Sequence, residues 1–239
     1  MSRFYYDADG IRLYHGDCID LSIECDLLVT DPPYGVEYAS AYESRTLWGD
    51  IAGDGRSTDD RAAIVERLKL AIAGLKVKRH VYVFGRIDLT SLPLIGHCEL
   101  IWDKELLGLG DLSSPWAPQH EPITFAVHIP PTSEPGKGRG NLTARLRRGS
   151  ILRSVRANAT GIVNHPTEKP IEILRQMIES SSVIGETVYD PFAGSGSTLI
   201  AAAIEGRKAV GCEIEERYCE IAARRFATEI PRLLIASDL

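Results

Sequence analysis

The stretch "TVYDPFAGSGSTLIAAAIEGRKAVGCEI", residues 187–214, constrains the fold more than any other part of the chain. It reads as a strand, a glycine-rich turn, a helix of small residues and a second strand that ends in an acid, Glu213. Two strands joined through one helix run parallel with a right-handed crossover, and a parallel sheet has to be covered on both faces. The rest of the chain repeats the alternation. Strand-like runs stand at "IRLYHG", "CDLLVT", "HVYVFG", "CELIWD" and "ITFAVHI". Helix-like stretches follow at "STDDRAAIVERLKLAIAGL", which stops at a glycine, at "PIEILRQMIESS", with proline at its first position, and at "EERYCEIAARRFATEI". The pattern predicts an α/β fold, doubly wound, with a mostly parallel sheet and helices on both faces.

One domain over residues 1–239 accommodates these elements, since 44% hydrophobic and 25% charged residues are ordinary for a globular chain of this length. Two stretches fit no element. Residues 36–58 are rich in Gly, Tyr, Ser and Asp, residues 104–161 contain Pro and Gly, and loops this long inside a compact domain usually carry function or are disordered. No run is long and apolar enough for a membrane span, and "MSRFYYDADG" lacks the apolar core of a secretory signal. The expectation is a cytoplasmic protein with no membrane partner. Cys18, Cys25, Cys98, Cys212 and Cys219 are odd in number and never spaced CxxC, which argues for reduced core thiols and no metal site. The net charge is -6, yet Lys137, Arg139, Arg145, Arg147, Arg148, Arg153 and Arg156 form a basic strip without an acid between them.

The glycine-rich turn has a ligand chemistry of its own. Glycines let the main chain approach a ligand, and an acid at the end of the next strand, roughly 20 residues on, can accept hydrogen bonds from two ribose hydroxyls. GxGxxG fails at Leu199 and GxxxxGK[ST] fails for want of a lysine, so pyrophosphate and triphosphate are disfavoured. S-adenosylmethionine carries a ribose and a zwitterionic tail without phosphate. Asp190, Phe192, Ala193, Gly194, Ser195, Gly196, Ser197, Thr198 and Glu213 are therefore expected to bind it.

A second turn, "TDPPYG" at 30–35, ends the apolar run "CDLLV". Proline cannot donate to a sheet ladder and pushes its predecessor out of the helical region, so the strand stops at Asp31. Ligands of open α/β sheets bind outside the carboxyl ends of their strands, which makes Asp31, Pro32, Pro33 and Tyr34 candidates for a site.

Together "DPPY" at 31–34, "HPTEKP" at 165–170, "DPFAGSGST" at 190–198 and "GCEIEERYCEIAARRF" at 211–226 closely resemble the amino-methyltransferases of DNA. The catalytic motif precedes the cofactor motif, as in the β class of that family. The resemblance implies a circularly rearranged, Rossmann-like methyltransferase fold, S-adenosylmethionine as cofactor and double-stranded DNA as partner. It places the target-recognition segment at 104–161, where the basic strip lies, with loop 36–58 as a second DNA contact. It adds Asp17 of "HGDC" and Cys18 near the cofactor's adenine, and His165, Thr167 and Lys169 near its amino-acid tail. For His165 and Thr167, capping of the helix that follows Pro170 is an equal alternative. Lys169 can pair with the cofactor carboxylate. A homodimer is compatible with the class, although no seam in the sequence demands one.

The chemistry accounts for these residue types. An exocyclic base amine is a poor nucleophile because its lone pair is delocalised into the ring. Asp31 can accept one amine hydrogen and the Pro32 carbonyl the other, while two prolines offer no competing N–H. Tyr34 offers a ring on which a base taken out of the duplex can stack. Asp at position 31 goes mostly with adenine-N6 in that family and Ser with cytosine-N4, so adenine is the first reading and cytosine-N4 the second. Methylation of RNA or of protein glutamine is a weaker alternative. Cytosine-C5 chemistry needs a cysteine nucleophile, usually after proline, and the chain has no Pro-Cys pair.

Overall fold

A computed structural model of the protein describes residues 3–33, 58–106, 113, 115–117, 119–129, 146–155 and 168–237. Among the described residues nine strands pair into one sheet: β1 (Arg3–Ala8), β2 (Ile11–His15), β3 (Cys25–Thr30), β4 (Leu75–Phe84), β5 (Leu94–Asp103), β6 (His120–His128), β7 (Ile151–Arg153), β8 (Thr187–Asp190) and β9 (Lys208–Glu213). Their order is β1-β2-β9-β8-β3-β4-β6-β5-β7. Pairings β2·β9, β9·β8, β8·β3 and β3·β4 are parallel, and so is β5·β7. The antiparallel pairings bring in only β1 and β6, so the mostly parallel sheet is as expected.

Among the described residues four α-helices cover the sheet: α1 (Thr58–Ala73), α2 (Ile171–Ser181), α3 (Ser197–Ile204) and α4 (Glu216–Ser237). β3 is buried at all six positions, and its residues serve two cores. Leu27 and Val29 pack with Ile173, Met177, Ile200 and Phe226 of α2, α3 and α4, whereas Cys25 and Leu28 pack with Ile64, Leu68 and Ile72 of α1. A continuous apolar strand is what burial on both faces requires. Cys18, Cys25, Cys212 and Cys219 are buried free thiols, and Cys98 is an exposed one. Among the described residues no helix is long and apolar enough to cross a membrane.

Three features differ from the sequence reading. The polar start folds into β1, a hairpin partner of β2 closed by Asp9 and Gly10, both at positive φ. Asp-Gly is the usual signature of a two-residue hairpin turn. β7 is a three-residue strand whose residues pair with Ile101, Trp102 and Asp103 of β5. α4 runs past Pro231 to Ser237, where a proline should stop it. The carbonyl that loses its partner belongs to Ala227, an exposed residue, so water can satisfy it.

α3 begins at Gly196, whose φ of 83° lies in the left-handed region. A Cβ built there would sit 2.6 Å from the Phe226 ring, which is itself packed edge-on against Tyr6. Gly196→Ala therefore combines backbone strain with overpacking and should destabilise the protein by about 3 kcal/mol. A thermal melt unchanged from wild type would contradict this packing.

Candidate active site

Strands β2, β9, β8 and β3 run in one direction, so their carboxyl ends share one edge of the sheet. Each of these ends carries an acid. In sheet order they are Asp17, just after β2, Glu213 on β9, Asp190 on β8 and Asp31, just after β3. From β3 the chain crosses through α1 to β4, and from β8 it crosses through α3 to β9 on the other side. The β3/β8 seam is thus a topological switch point, where open α/β sheets form their ligand crevice.

The two sequence-distant turns meet at this seam. Buried Thr30 donates its hydroxyl to Asp190 Oδ1 at 2.7 Å, across 160 residues of chain. Asp190 Oδ1 also accepts the Phe192 N–H at 3.1 Å, and Thr198 adds a hydroxyl. Burial pushes the Asp190 carboxyl up to about 6. Thr30 is not marked as a site residue by the sequence, because a threonine closing an apolar strand carries no signal of its own.

The glycine turn is held from three sides. Gly194 donates to Glu213 Oε2 at 2.8 Å, and Glu215 donates to Oε1 at 2.8 Å. Ala193 donates to the Cys212 carbonyl at 2.9 Å. Arg225 of α4, only 2% exposed, reaches the Ser195 carbonyl at 3.0 Å, the Ser195 hydroxyl at 2.8 Å and the Ser197 hydroxyl at 3.0 Å. Its other nitrogens bind Glu168 at 2.8 Å and Glu229 at 2.7 Å. Arg225 thereby ties Glu168 of "HPTEKP" to the turn. No spacing rule marks it beforehand, because arginine on an amphipathic helix normally faces water.

Burial raises Glu213 to about 7. Each carboxylate oxygen can accept a second hydrogen bond beyond the backbone one. Asp17 accepts the Ile19 N–H at 3.1 Å and forms a two-point ion pair with Arg67 of α1, whose guanidinium holds the carboxyl below its ordinary range. Neighbouring Cys18 is buried, and its thiol is pushed up to about 12 by desolvation.

At the DPP turn Pro32 is buried while Asp31 and Pro33 are half-buried. Asp31 Oδ2 lies 2.7 Å from Lys169 Nζ, and the same ammonium is 2.9 Å from Glu121 Oε1. Glu121 Oε2 is in turn 2.9 Å from Lys104 Nζ. Glu121 and Lys104 carry no sequence signal, since both fall in the stretch 104–161 that fits no element. Tyr34, His165 and Thr167 lie outside the described residues.

Of the basic strip, Arg147 is exposed, Arg148 pairs with Glu179 of α2, and Arg153 on β7 is 3.6 Å from Asp103. Lys137, Arg139, Arg145 and Arg156 lie outside the described residues, as does loop 36–58 apart from the start of α1. Trp102 is core, donating to the Ser154 carbonyl at 2.8 Å, whereas Trp116 is 85% exposed.

The profile of the N6/N4 methyltransferases, described as DNA methylase, matches residues 25–224. The chain belongs to this DNA methylase family. YubD of Escherichia coli, provisionally named a methylase, is 46% identical over 230 residues that span 90% of each chain. Among solved structures, the M1.HpyAVI complex with S-adenosylmethionine superposes with a TM-score of 0.65 at 18% identity, covering 90% of this chain and 98% of that one. The cytosine-N4-specific PvuII DNA methyltransferase gives 0.62 at 16% identity, covering 97% and 95%. At these identities the two structures establish the shared Rossmann-like fold. The protein is thus a DNA methyltransferase of the N6/N4 family and uses S-adenosylmethionine.

The donor set fits that cofactor. Glu213 retains acceptor capacity at the end of β9, and no lysine or arginine stands in the turn to hold a phosphate. Arg225, whose guanidinium touches the turn, is buried against the serines and two glutamates.

Proposed function

We propose that the protein methylates the exocyclic N6 amine of adenine in double-stranded DNA at a specific sequence. The observation that carries this reading is the Thr30–Asp190 hydrogen bond, which sets the DPP turn directly beside the glycine turn. A methyl acceptor held at β3 and a methyl donor held at β8 and β9 then face each other across one seam.

On the donor side Glu213 accepts the ribose hydroxyls, the main chain from Phe192 to Thr198 approaches the nucleoside and Asp190 anchors the turn. Asp17 and Cys18 border the adenine. S-adenosylmethionine supplies an electrophilic methyl group on a sulfonium. On the acceptor side Asp31 and the Pro32 carbonyl take the two amine hydrogens and draw the nitrogen lone pair out of conjugation. Both contacts strengthen as the nitrogen becomes tetrahedral and positive, which is stabilisation of the transition state rather than of the bound base. The surplus amine proton passes to Asp31, whose carboxyl burial holds above the ordinary carboxylate range.

Inside a duplex the amine cannot reach this crevice, so the base has to leave the stack, with Tyr34 as its stacking platform. Arg147, Arg148 and Arg153, with Lys137, Arg139, Arg145 and Arg156, contact phosphates, and segments 104–161 and 36–58 supply the base-reading side chains. Asp31 favours adenine over cytosine. The test is to incubate unmethylated DNA with methyl-labelled S-adenosylmethionine and digest it to nucleosides. Label in N6-methyladenine is expected, and label in N4-methylcytosine would overturn the choice of base.

A further inference from the structure

We infer that Lys169 and Glu121 are positioning residues for Asp31, forming with Lys104 a row of alternating charge that aims the catalytic carboxylate and tunes its basicity. The inference rests on the amine-transfer reading above.

The geometry is that of a built network. Lys169 directly precedes Pro170, the N-cap of α2, and a residue before proline is held extended. Its side chain is buried at 8% exposure, with Nζ 5.1 Å from the Phe84 ring and 5.9 Å from that of Trp102. An ammonium in such surroundings needs anionic partners, and it has Asp31 at 2.7 Å and Glu121 at 2.9 Å. Glu121 stands on β6 opposite Trp102 of β5, and Lys104, just beyond β5, bonds its second oxygen while lying 4.7 Å from the Trp102 ring. Asp31, Lys169, Glu121 and Lys104 alternate in sign.

Two consequences follow for Asp31. With Oδ2 held by Lys169, the carboxylate plane is set by the protein before any base arrives, which is the preorganisation that orientation requires. Because Glu121 shares the ammonium, Asp31 remains a stronger acceptor than a contact with Lys169 alone would leave it. Among the described residues, Lys169 before α2 lowers the pKa of Asp31, while Glu121 on β6 and Asp190 at the end of β8 raise it, on top of burial. Glu121 lies at the base of the segment that precedes the basic strip, so the carboxylate that touches the base is joined through Lys169 to the recognition half of the chain.

The test is the pH dependence of single-turnover methyl transfer to unmethylated DNA at saturating S-adenosylmethionine. Lys169→Met removes a charge that keeps Asp31 ionised, so the acid limb of the profile should move to higher pH by about one unit or more. Glu121→Gln removes a charge that opposes ionisation, so the limb should move to lower pH. Asp31→Asn keeps a carbonyl acceptor but does not titrate, and whatever rate remains should be flat across the limb. Should Lys169→Met fail to fold, the direction given by Glu121→Gln decides alone. A limb that stays in place in the variants that fold, or moves the same way in both, overturns the inference. So does a Lys169→Met whose only change is weaker cofactor binding. Retained turnover in Asp31→Ala would instead sink the amine-transfer reading itself, which separates the two failures.

Discussion

Asp31→Ala is expected to lower single-turnover methyl transfer by about 10²–10⁴-fold, the range for loss of a positioned proton acceptor. Cofactor affinity should change by less than about threefold, well under the 1.4 kcal/mol that a tenfold change represents. The reason for the split is positional. Asp31 sits beyond β3, on the acceptor side of the seam, and its partner Lys169 leads toward Glu121 rather than toward the glycine turn. Stopped-flow binding of S-adenosylmethionine beside a quench assay of transfer measures both quantities on one preparation. Comparable losses in the two would mean that Asp31 also holds the cofactor.

Glu213→Ala should show the opposite pattern, with cofactor affinity falling about 10- to 10³-fold as charge-assisted hydrogen bonds to the ribose disappear. The carboxylate also accepts the Gly194 and Glu215 N–H groups, so part of the loss comes from a loosened turn. Glu213→Gln separates the contributions, since it retains one acceptor oxygen and similar bulk. The sign of the pH effect follows from the burial that raises Glu213 to about 7. Hydroxyl donors favour the ionised form, so cofactor binding releases a proton and tightens as pH rises through about 7. Isothermal calorimetry in buffers of different ionisation enthalpy reads that proton directly. Affinity independent of pH in wild type would remove Glu213 as the ribose acceptor.

Much of this architecture is legible in the sequence because its signals are local. "CDLLVT" is apolar at consecutive positions because both of its faces are covered, and "AGSGST" announces its turn because Gly196 has no room for a Cβ against Phe226. The Asp9-Gly10 hairpin was equally local but was masked by the polar residues around it. β7 had no local signal, since three residues become a strand only through their pairing with Ile101, Trp102 and Asp103.

The polar connections of the site are of another kind. Thr30 finds Asp190 only because β3 and β8 are neighbours in the sheet, and Lys169 finds Glu121 only because β6 folds back antiparallel beside β4. The resemblance implies a Lys169 ammonium at the cofactor tail, and in the structure that ammonium pairs with Asp31 and Glu121. A pairing between residues far apart in the chain is a property of strand order, which periodicity does not encode. Motifs identify which side chains matter, and topology determines which of them touch.

The central claim is that one crevice at the β3/β8 seam holds the base amine on Asp31 and the methyl donor on Glu213. Its most direct measurement is a crystal structure of the protein with sinefungin, in which an amine-bearing carbon replaces the methyl sulfonium, and a duplex carrying the unmethylated target sequence. The account predicts an extrahelical adenine whose N6 lies about 3 Å from Asp31 and from the Pro32 carbonyl, with the ribose hydroxyls on Glu213. A target base left in the stack, or a cofactor bound away from the glycine turn, would contradict it.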